Sequence, residues 1–239
     1  NDTFSNDASG WELHRIVKYP DHGEAEIGSI IYTPDDFWTG VDSLTYEACD
    51  DEDYCVRGRV TITVLPVPFA PATGFAPGAA TPLAKQPQTK QYQSLGDLVL
   101  EIPSLSIQAD IVWVPTTDQG WDITWLGNDV GLLNGTAFPT WNGNSVLTGH
   151  LYDSYGNPGI FNQVNKLAWG DQIIIHLDGQ KYFYEVREVL PKVDPNSLQE
   201  IILHKDTPWI TLITCQGYEE ETNSYLWRYL VRSALVRIE

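Results

Sequence analysis

Three residues in this sequence have the type and setting for acyl-transfer chemistry: Cys215, His150 and Arg228. Cys215 ends a β-prone run, Trp209-Ile210-Thr211-Leu212-Ile213-Thr214-Cys215, before an expected turn over residues 216–224. His150 ends another, Ser145-Val146-Leu147-Thr148-Gly149-His150. Arg228 stands near the start of a third, over residues 225–238. Residues at strand ends project over a barrel rim, where a substrate can lie. A thiol with an ordinary pKa of about 8.5 is mostly protonated at neutral pH. An imidazole or a guanidinium beside it favours the reactive thiolate, and a guanidinium can also hold the oxyanion of a tetrahedral intermediate. Each residue alone has a plainer use. A lone cysteine is usually a small buried hydrophobe, a histidine at a turn a hydrogen-bonded surface group, and an arginine on an edge strand a solubilising charge. Spacing alone leaves catalysis and packing both open.

The frame around these residues is large enough to hold them rigidly. The chain has 239 residues, of which 42% are hydrophobic, so one large or two smaller domains can bury a core. Nine Trp and twelve Tyr favour β structure. The net charge of −18 argues against nucleic acid or an anionic membrane as a partner, since both need a basic face. No apolar run reaches the length of about 18 residues that a membrane helix needs, and no signal peptide is visible. The start, Asn1-Asp2-Thr3, reads as the interior of a longer chain, so a membrane anchor is expected outside this sequence. Cys49 and Cys55 flank an acidic turn while Cys215 stands alone. That division points to one disulfide and one thiol in an oxidising compartment, against three cytosolic thiols.

Residues 1–65 form an acidic block with 14 acidic and 4 basic residues. Short β runs at residues 14–19, 25–27, 29–33, 43–49 and 56–65, separated by Pro, Asp and Gly, indicate a β-sandwich. The last two runs form a hairpin with Cys49 and Cys55 facing each other across it. Residues 66–94 carry six prolines and no acid, which marks a linker with polyproline character. Residues 95–239 show seven or eight alternating runs, hence a β-barrel or sandwich, with a hairpin turn at Asp178-Gly179. Only residues 128–133, 160–167 and 198–203 read as short helices.

Two resemblances follow. The string Ile31-Tyr32-Thr33-Pro34-Asp35-Asp36-Phe37-Trp38-Thr39-Gly40-Val41-Asp42-Ser43-Leu44-Thr45-Tyr46, the cysteine hairpin and Val60-Thr61-Ile62-Thr63-Val64 resemble the C-terminal half of a bacterial cadherin-like or immunoglobulin-like surface repeat whose first strand is missing. Such repeats often bind calcium, for which Asp35, Asp36, Asp50, Asp51 and Asp53 are candidates; a solvated acidic turn is the favoured reading. The second resemblance covers residues 95–239. Val146-Leu147-Thr148-Gly149-His150, Thr211-Leu212-Ile213-Thr214-Cys215 and Arg228-Tyr229-Leu230-Val231-Arg232-Ser233-Ala234-Leu235-Val236, in that order, resemble the three signature segments of a sortase. Leu100-Glu101-Ile102-Pro103-Ser104-Leu105 and Gly170-Asp171-Gln172-Ile173 match the same family.

This resemblance implies a closed sortase β-barrel and a cysteine transpeptidase. Cys215 would attack the threonine carbonyl of a Leu-Pro-x-Thr-Gly-like sorting signal. His150 would serve as acid and then base, and Arg228 would hold the substrate or the oxyanion. Arg232 is the rival for that role, and Thr214 would help orient substrate. His14, His22, His176 and His204 match no motif and read as structural. No cofactor is required, with calcium an accessory ion for which Glu200 and Asp206 are the acids at hand. The implied partners are surface proteins bearing sorting signals and an amine acceptor, either a peptidoglycan cross-bridge or a pilin lysine, at the cell surface. The alternatives are a non-catalytic adhesion or scaffold protein and a hydrolytic cysteine peptidase. Within the linker, Ala70-Pro71-Ala72-Thr73-Gly74 resembles a sorting signal with Ala in place of Leu. An ordinary linker is the simpler reading, and a pseudosubstrate, or a self-cleaved bond after Thr73, is the other.

Overall fold

Alternating apolar and polar residues build strands in both compact units of the chain, which divide between Val67 and Pro68 in the computed structural model. The structure describes residues 11–26, 31–35, 40–50, 52, 54–64, 71, 74–117 and 120–239.

In the first unit β1 (Trp11–Lys18), β4 (Gly40–Asp50) and β5 (Cys55–Val64) form an antiparallel sheet in the order β1-β4-β5. β2 (Gly23–Glu26) pairs with β3 (Ile31–Pro34). Ile16, Ala25 and Leu44 are buried, with Leu13, Tyr46, Val60 and Ile62 packed against them, so both sheets contribute to one small core. Cys49 and Cys55 face each other in the β4–β5 hairpin and are disulfide-bonded. The buried Asp42 carboxylate accepts hydrogen bonds from the backbone N–H groups of Asp21 (3.0 Å), His22 (2.8 Å) and Ser43 (2.7 Å) and from the Tyr32 hydroxyl (3.1 Å). Burial alone would raise its pKa, but these donors outweigh it and hold the carboxyl below the usual aspartate range. The Asp50 carboxylate accepts from the Glu52 and Tyr54 N–H groups and so shapes the hairpin turn. Of the other calcium candidates, Asp36, Asp51 and Asp53 lie outside the described residues, as does the segment 1–10.

The second unit is a closed barrel of eight strands. They are β6 (Gln93–Ile102), β7 (Ile107–Val114), β10 (Val130–Leu133), β11 (Gly143–Thr148), β12 (Gln172–Leu177), β13 (Gln180–Val193), β14 (Pro208–Glu219) and β15 (Ser224–Ile238). Two-residue strands β8 (Thr116–Thr117) and β9 (Gly120–Trp121) pair outside it. The barrel order is β10-β11-β14-β15-β13-β12-β6-β7. All eight strands send apolar side chains into one buried cluster, including Leu100, Ile111, Leu132, Leu147, Ile175, Tyr184, Leu212 and Val231, which is the lumen. The opposite faces of β10, β11, β14 and β15 supply Leu133, Val146, Ile213 and Leu230 to a second cluster. That cluster is closed over by Trp121, Ile123 and Leu126 and by helix α1 (Leu198–Ile201). Asp178 and Gly179 both have positive φ (51° and 75°), the requirement of the tight hairpin expected there.

Three expectations change. Residues 128–133 are not helical: Val130–Leu133 is strand β10, buried at every position and paired with both β7 and β11. A four-residue apolar run has no period long enough to distinguish the two states, and tertiary pairing decides. Residues 160–167 hold only a single 3₁₀ turn at Val164–Lys166. The turn expected at 216–224 is shorter, because β14 continues to Glu219 and β15 begins at Ser224. The proline-rich stretch from Pro68 belongs to the barrel unit. Within that unit it hydrogen-bonds along the barrel through Phe75, Gly78, Thr81 and Ala84.

Candidate active site

Register brings Cys215 and Arg228 to one level, and β11, the other neighbour of β14, leads into His150. β14 and β15 are antiparallel with Cys215 directly opposite Arg228, so their side chains share a face. β11 runs parallel to β14, from Gly143 opposite Pro208 to Thr148 opposite Ile213. Continuing that register one residue past β11 sets Gly149 level with Thr214, where the Thr214 hydroxyl donates to the Gly149 carbonyl at 3.1 Å. His150 follows directly on Gly149. The thiol therefore sits on the middle strand of three, with the arginine on one neighbour and the histidine leaving the other.

The face that carries them is the outer one. Cys215 follows Thr211 and Ile213 in alternation, and Ile213 belongs to the cluster outside the lumen. Cys215 also lies inside β14 rather than at its end, so the thiol stands on the barrel wall and not at a strand terminus. All three side chains are nearly sealed, with exposures of 1% for Cys215, 2% for His150 and 5% for Arg228.

The two arginines of β15 have different surroundings. Arg228 donates through Nε to the Pro71 carbonyl (3.1 Å) and through Nη1 to the Trp227 (3.2 Å) and Tyr225 (3.5 Å) carbonyls. Among the described residues no carboxylate pairs with it. Arg232 pairs with Glu188 at 2.7 Å and donates to the Glu200 carbonyl. It lies opposite Thr211, one turn of the pleat beyond Ile213 and away from the thiol. Thr214 points to the opposite face from Cys215 and is held by Gly149.

Tyr225, Tyr152 and Phe75 stand here although no motif singled them out. The Phe75 ring lies 5.1 Å from the His150 ring, centroid to centroid. The Phe75 N–H donates to the Tyr152 carbonyl (3.2 Å) and its carbonyl accepts from the Tyr225 hydroxyl (2.7 Å). Burial pushes the Tyr225 phenol up, and the nearby Cys215 adds to the shift, so Tyr225 stays a donor. The one signal for Tyr225 in the sequence was its place three residues before Arg228. Phe75 had none, because its position depends on how a proline-rich stretch folds back.

The remaining histidines lie elsewhere. His176 bonds Glu101 at 2.6 Å on β12, His204 is exposed 3.9 Å from Asp206, and His14 and His22 are in the first unit. Glu200 is in α1 and Asp206 is exposed, and among the described residues no group of three or more His, Cys, Asp or Glu side chains is placed to hold a metal. No described helix is long and apolar enough to cross a membrane.

Comparison with known proteins bears on the family. The model of the sortase domain matches residues 100–236, and that of a bacterial Ig domain matches residues 1–63. Among solved structures, sortase A of Corynebacterium diphtheriae, studied as a lid mutant, is 27% identical with a TM-score of 0.50 over 64% of this chain and 75% of that one. Sortase C-3 of Streptococcus pneumoniae is 22% identical with a TM-score of 0.50 over 69% of this chain and 74% of that one. Sortase C of Clostridium perfringens, solved with a C-terminal cell wall sorting motif, is 29% identical with a TM-score of 0.47 over 61% and 71%. No curated sequence matches significantly. With the family model spanning more than half of its length, an eight-stranded barrel and an Ig domain ahead of it, the chain belongs to the sortase family of cysteine transpeptidases.

Proposed function

We propose that this sortase cleaves a Leu-Pro-x-Thr-Gly-like signal after threonine and passes the acyl group to an amine at the cell surface, with Cys215, His150 and Arg228 as its reacting side chains. The observation that supports the assignment is the register that sets Cys215 opposite Arg228, on a strand whose other neighbour, β11, leads into His150. Cys215 attacks the threonine carbonyl carbon as a thiolate. The C–S bond forms while the carbonyl electrons move to oxygen, and the Arg228 guanidinium faces that negative charge. Collapse breaks the C–N bond, and His150 gives its proton to the departing glycine amine. The acceptor amine then loses a proton to His150, attacks the thioester and expels the Cys215 sulfur.

Arg228 is favoured over Arg232 because it lies opposite Cys215 and has no carboxylate partner among the described residues, whereas Glu188 already neutralises Arg232. The pairing of an Ig domain with a sortase domain, and the Cys49–Cys55 disulfide, support an extracellular setting on the cell surface. The partners are then surface proteins carrying the signal and either a peptidoglycan cross-bridge or a pilin lysine.

A panel of fluorogenic peptides, Leu-Pro-Ala-Thr-Gly with the first residue varied, tests this with and without an amine acceptor. Cleavage that vanishes in Cys215→Ala, with acyl transfer to the amine, is expected. Cleavage without transfer points instead to a hydrolytic peptidase. Absence of any Cys215-dependent cleavage overturns both readings and leaves the adhesion or scaffold role.

A further inference from the structure

His150 also forms part of a pocket that neither the thiol nor the arginine lines. The pocket holds about 200 Å³. Its walls come from the loop after β11, through Asp153 and Ser154, and from the segment between β9 and β10, through Thr124 and Trp125. Leu83 closes a further side. Apart from His150, Asp153 is the single ionisable acid or base facing an otherwise apolar and hydroxyl-bearing lining, and no lysine or arginine stands there among the described residues.

The loop holds that carboxylate in place. Asp153 Oδ1 accepts from the N–H groups of Tyr155 (2.9 Å) and Asn157 (2.8 Å), and Asp153 N–H donates to the Asn157 carbonyl (2.9 Å). Gly159 N–H donates to the Leu151 carbonyl (2.9 Å) and Phe161 N–H to the His150 carbonyl (3.0 Å), which ties the loop back to the histidine. Oδ2 makes one long contact, 3.5 Å, with the Asn157 amide. One carboxylate oxygen therefore serves the turn, and the other keeps acceptor capacity for a cation. On the facing wall, Trp125 Nε1 donates to the Ala84 carbonyl (2.7 Å), which fixes the indole.

Size and lining select a ligand. A pocket of about 200 Å³ falls below the roughly 300–1,000 Å³ that takes a whole drug-sized molecule, so it suits one side chain. An indole and a leucine suit an apolar stem, and a carboxylate suits a cationic head, the two parts of a lysine-type side chain. A glycyl α-amine has no stem to fill the space. The net charge of −18 also favours the arrival of cations.

We propose that this pocket seats the acceptor, a primary ammonium on an unbranched alkyl stem, with the stem against Trp125 and Leu83 and the nitrogen between Asp153 and His150. The proposal rests on the transpeptidase reading above and narrows its acceptor. An alkylammonium with an ordinary pKa of about 10.4 arrives charged. It gives one proton to the neutral imidazole that acylation leaves at His150. The free amine attacks the thioester carbon, the C–N bond forms and the C–S bond breaks. The second proton of the nitrogen goes to the departing sulfur.

The test uses the full chain, a fluorogenic signal peptide and two acceptors, Nα-acetyl-lysine amide and triglycine amide. The lysine compound should have the lower acceptor KM. Asp153→Asn keeps an oxygen for the two loop N–H groups and removes the charge. It should raise the lysine KM about tenfold, the loss of one hydrogen bond to a charged group, with the signal-peptide KM within about twofold. Trp125→Leu should raise the lysine KM about threefold. Lysine in an extended peptide and lysine in a peptidoglycan stem peptide carry the same ammonium, and the lower KM of the two identifies a protein or a wall source.

A second arm needs no turnover. Cys215→Ala protein is titrated with Nα-acetyl-lysine amide while the Trp125 indole N–H resonance is followed, and adding Asp153→Asn should weaken the binding about tenfold. Such binding without cleavage of any signal supports the pocket and counts against the transpeptidase reading alone. Absence of a saturable shift overturns the proposal, and so do lysine and triglycine KM values that are equal and unmoved by Asp153→Asn.

Discussion

Arg228 and Arg232 lie four residues apart on one face of β15, both almost sealed from water, and their surroundings are opposite in kind. Arg232 has a carboxylate and a backbone carbonyl, so its charge is spent on structure. Arg228 has three backbone carbonyls and no carboxylate among the described residues, and one of those carbonyls is that of Pro71. A buried guanidinium without a counterion is costly to keep unless it has an anionic task. The difference teaches that burial alone does not distinguish the two arginines. Their partners and their place along β15 do.

Substitution at Arg228 should give the largest effect that tests this contrast. Arg228→Ala should lower kcat/KM by roughly 100- to 1000-fold, the loss typical of a deleted oxyanion donor, far more than the few degrees of melting temperature lost with its own hydrogen bonds would explain. Arg228→Lys should recover little, since an ammonium cannot reproduce the fork of the guanidinium. Peptide kinetics and thermal melts together read both quantities.

Arg232→Ala should show the reverse pattern. It leaves Glu188 unpaired, but the Glu188 side chain is 41% exposed, so solvent softens the loss. The expected cost is about 2 kcal/mol from the lost buried hydrogen bonds, a fall in melting temperature of roughly 4–8 °C, with turnover per folded molecule within about threefold. A variant that loses turnover while keeping its melting temperature would transfer the catalytic role to Arg232.

The smallest effect extends the contrast to a buried anion. Asp42, like Arg232, is a buried charge held by partners of its own: four donors meet its carboxylate. Its carboxyl is held below its ordinary range in the folded state, so the stability it contributes is present above the unfolded pKa of about 4. That contribution is lost as pH falls through the folded value. Asp42→Asn should cost the first unit about 1–2 kcal/mol at neutral pH and flatten its acid unfolding curve below about pH 4, while leaving peptide cleavage unchanged. Fluorescence-monitored acid titration of the two proteins measures it.

The all-β class and the disulfide hairpin were legible because alternation, turn residues and cysteine spacing are local. The closed barrel and its sortase character came from the matched strings rather than from periodicity. Residues 128–133 read as a helix for the complementary reason: a short apolar run has no period, and β10 exists because β7 and β11 flank it. The same limit hid where the site opens. A β run ending in cysteine suggested a thiol on a rim. Pairing carries β14 four residues further and turns Cys215 to the outer wall.

By itself, then, the sequence determined the residue types, their order along the chain and the family whose motifs they match: a thiol, an imidazole and two arginines in β runs. Only the tertiary structure decided which arginine stands opposite the thiol, that the strand leading into His150 pairs with the thiol's own strand, and that a proline-rich stretch returns to meet Arg228 and His150. The physical reason is range. Propensity and period act over a few residues, whereas register and counterion choice join Pro71, His150, Cys215 and Arg228, which no local pattern connects.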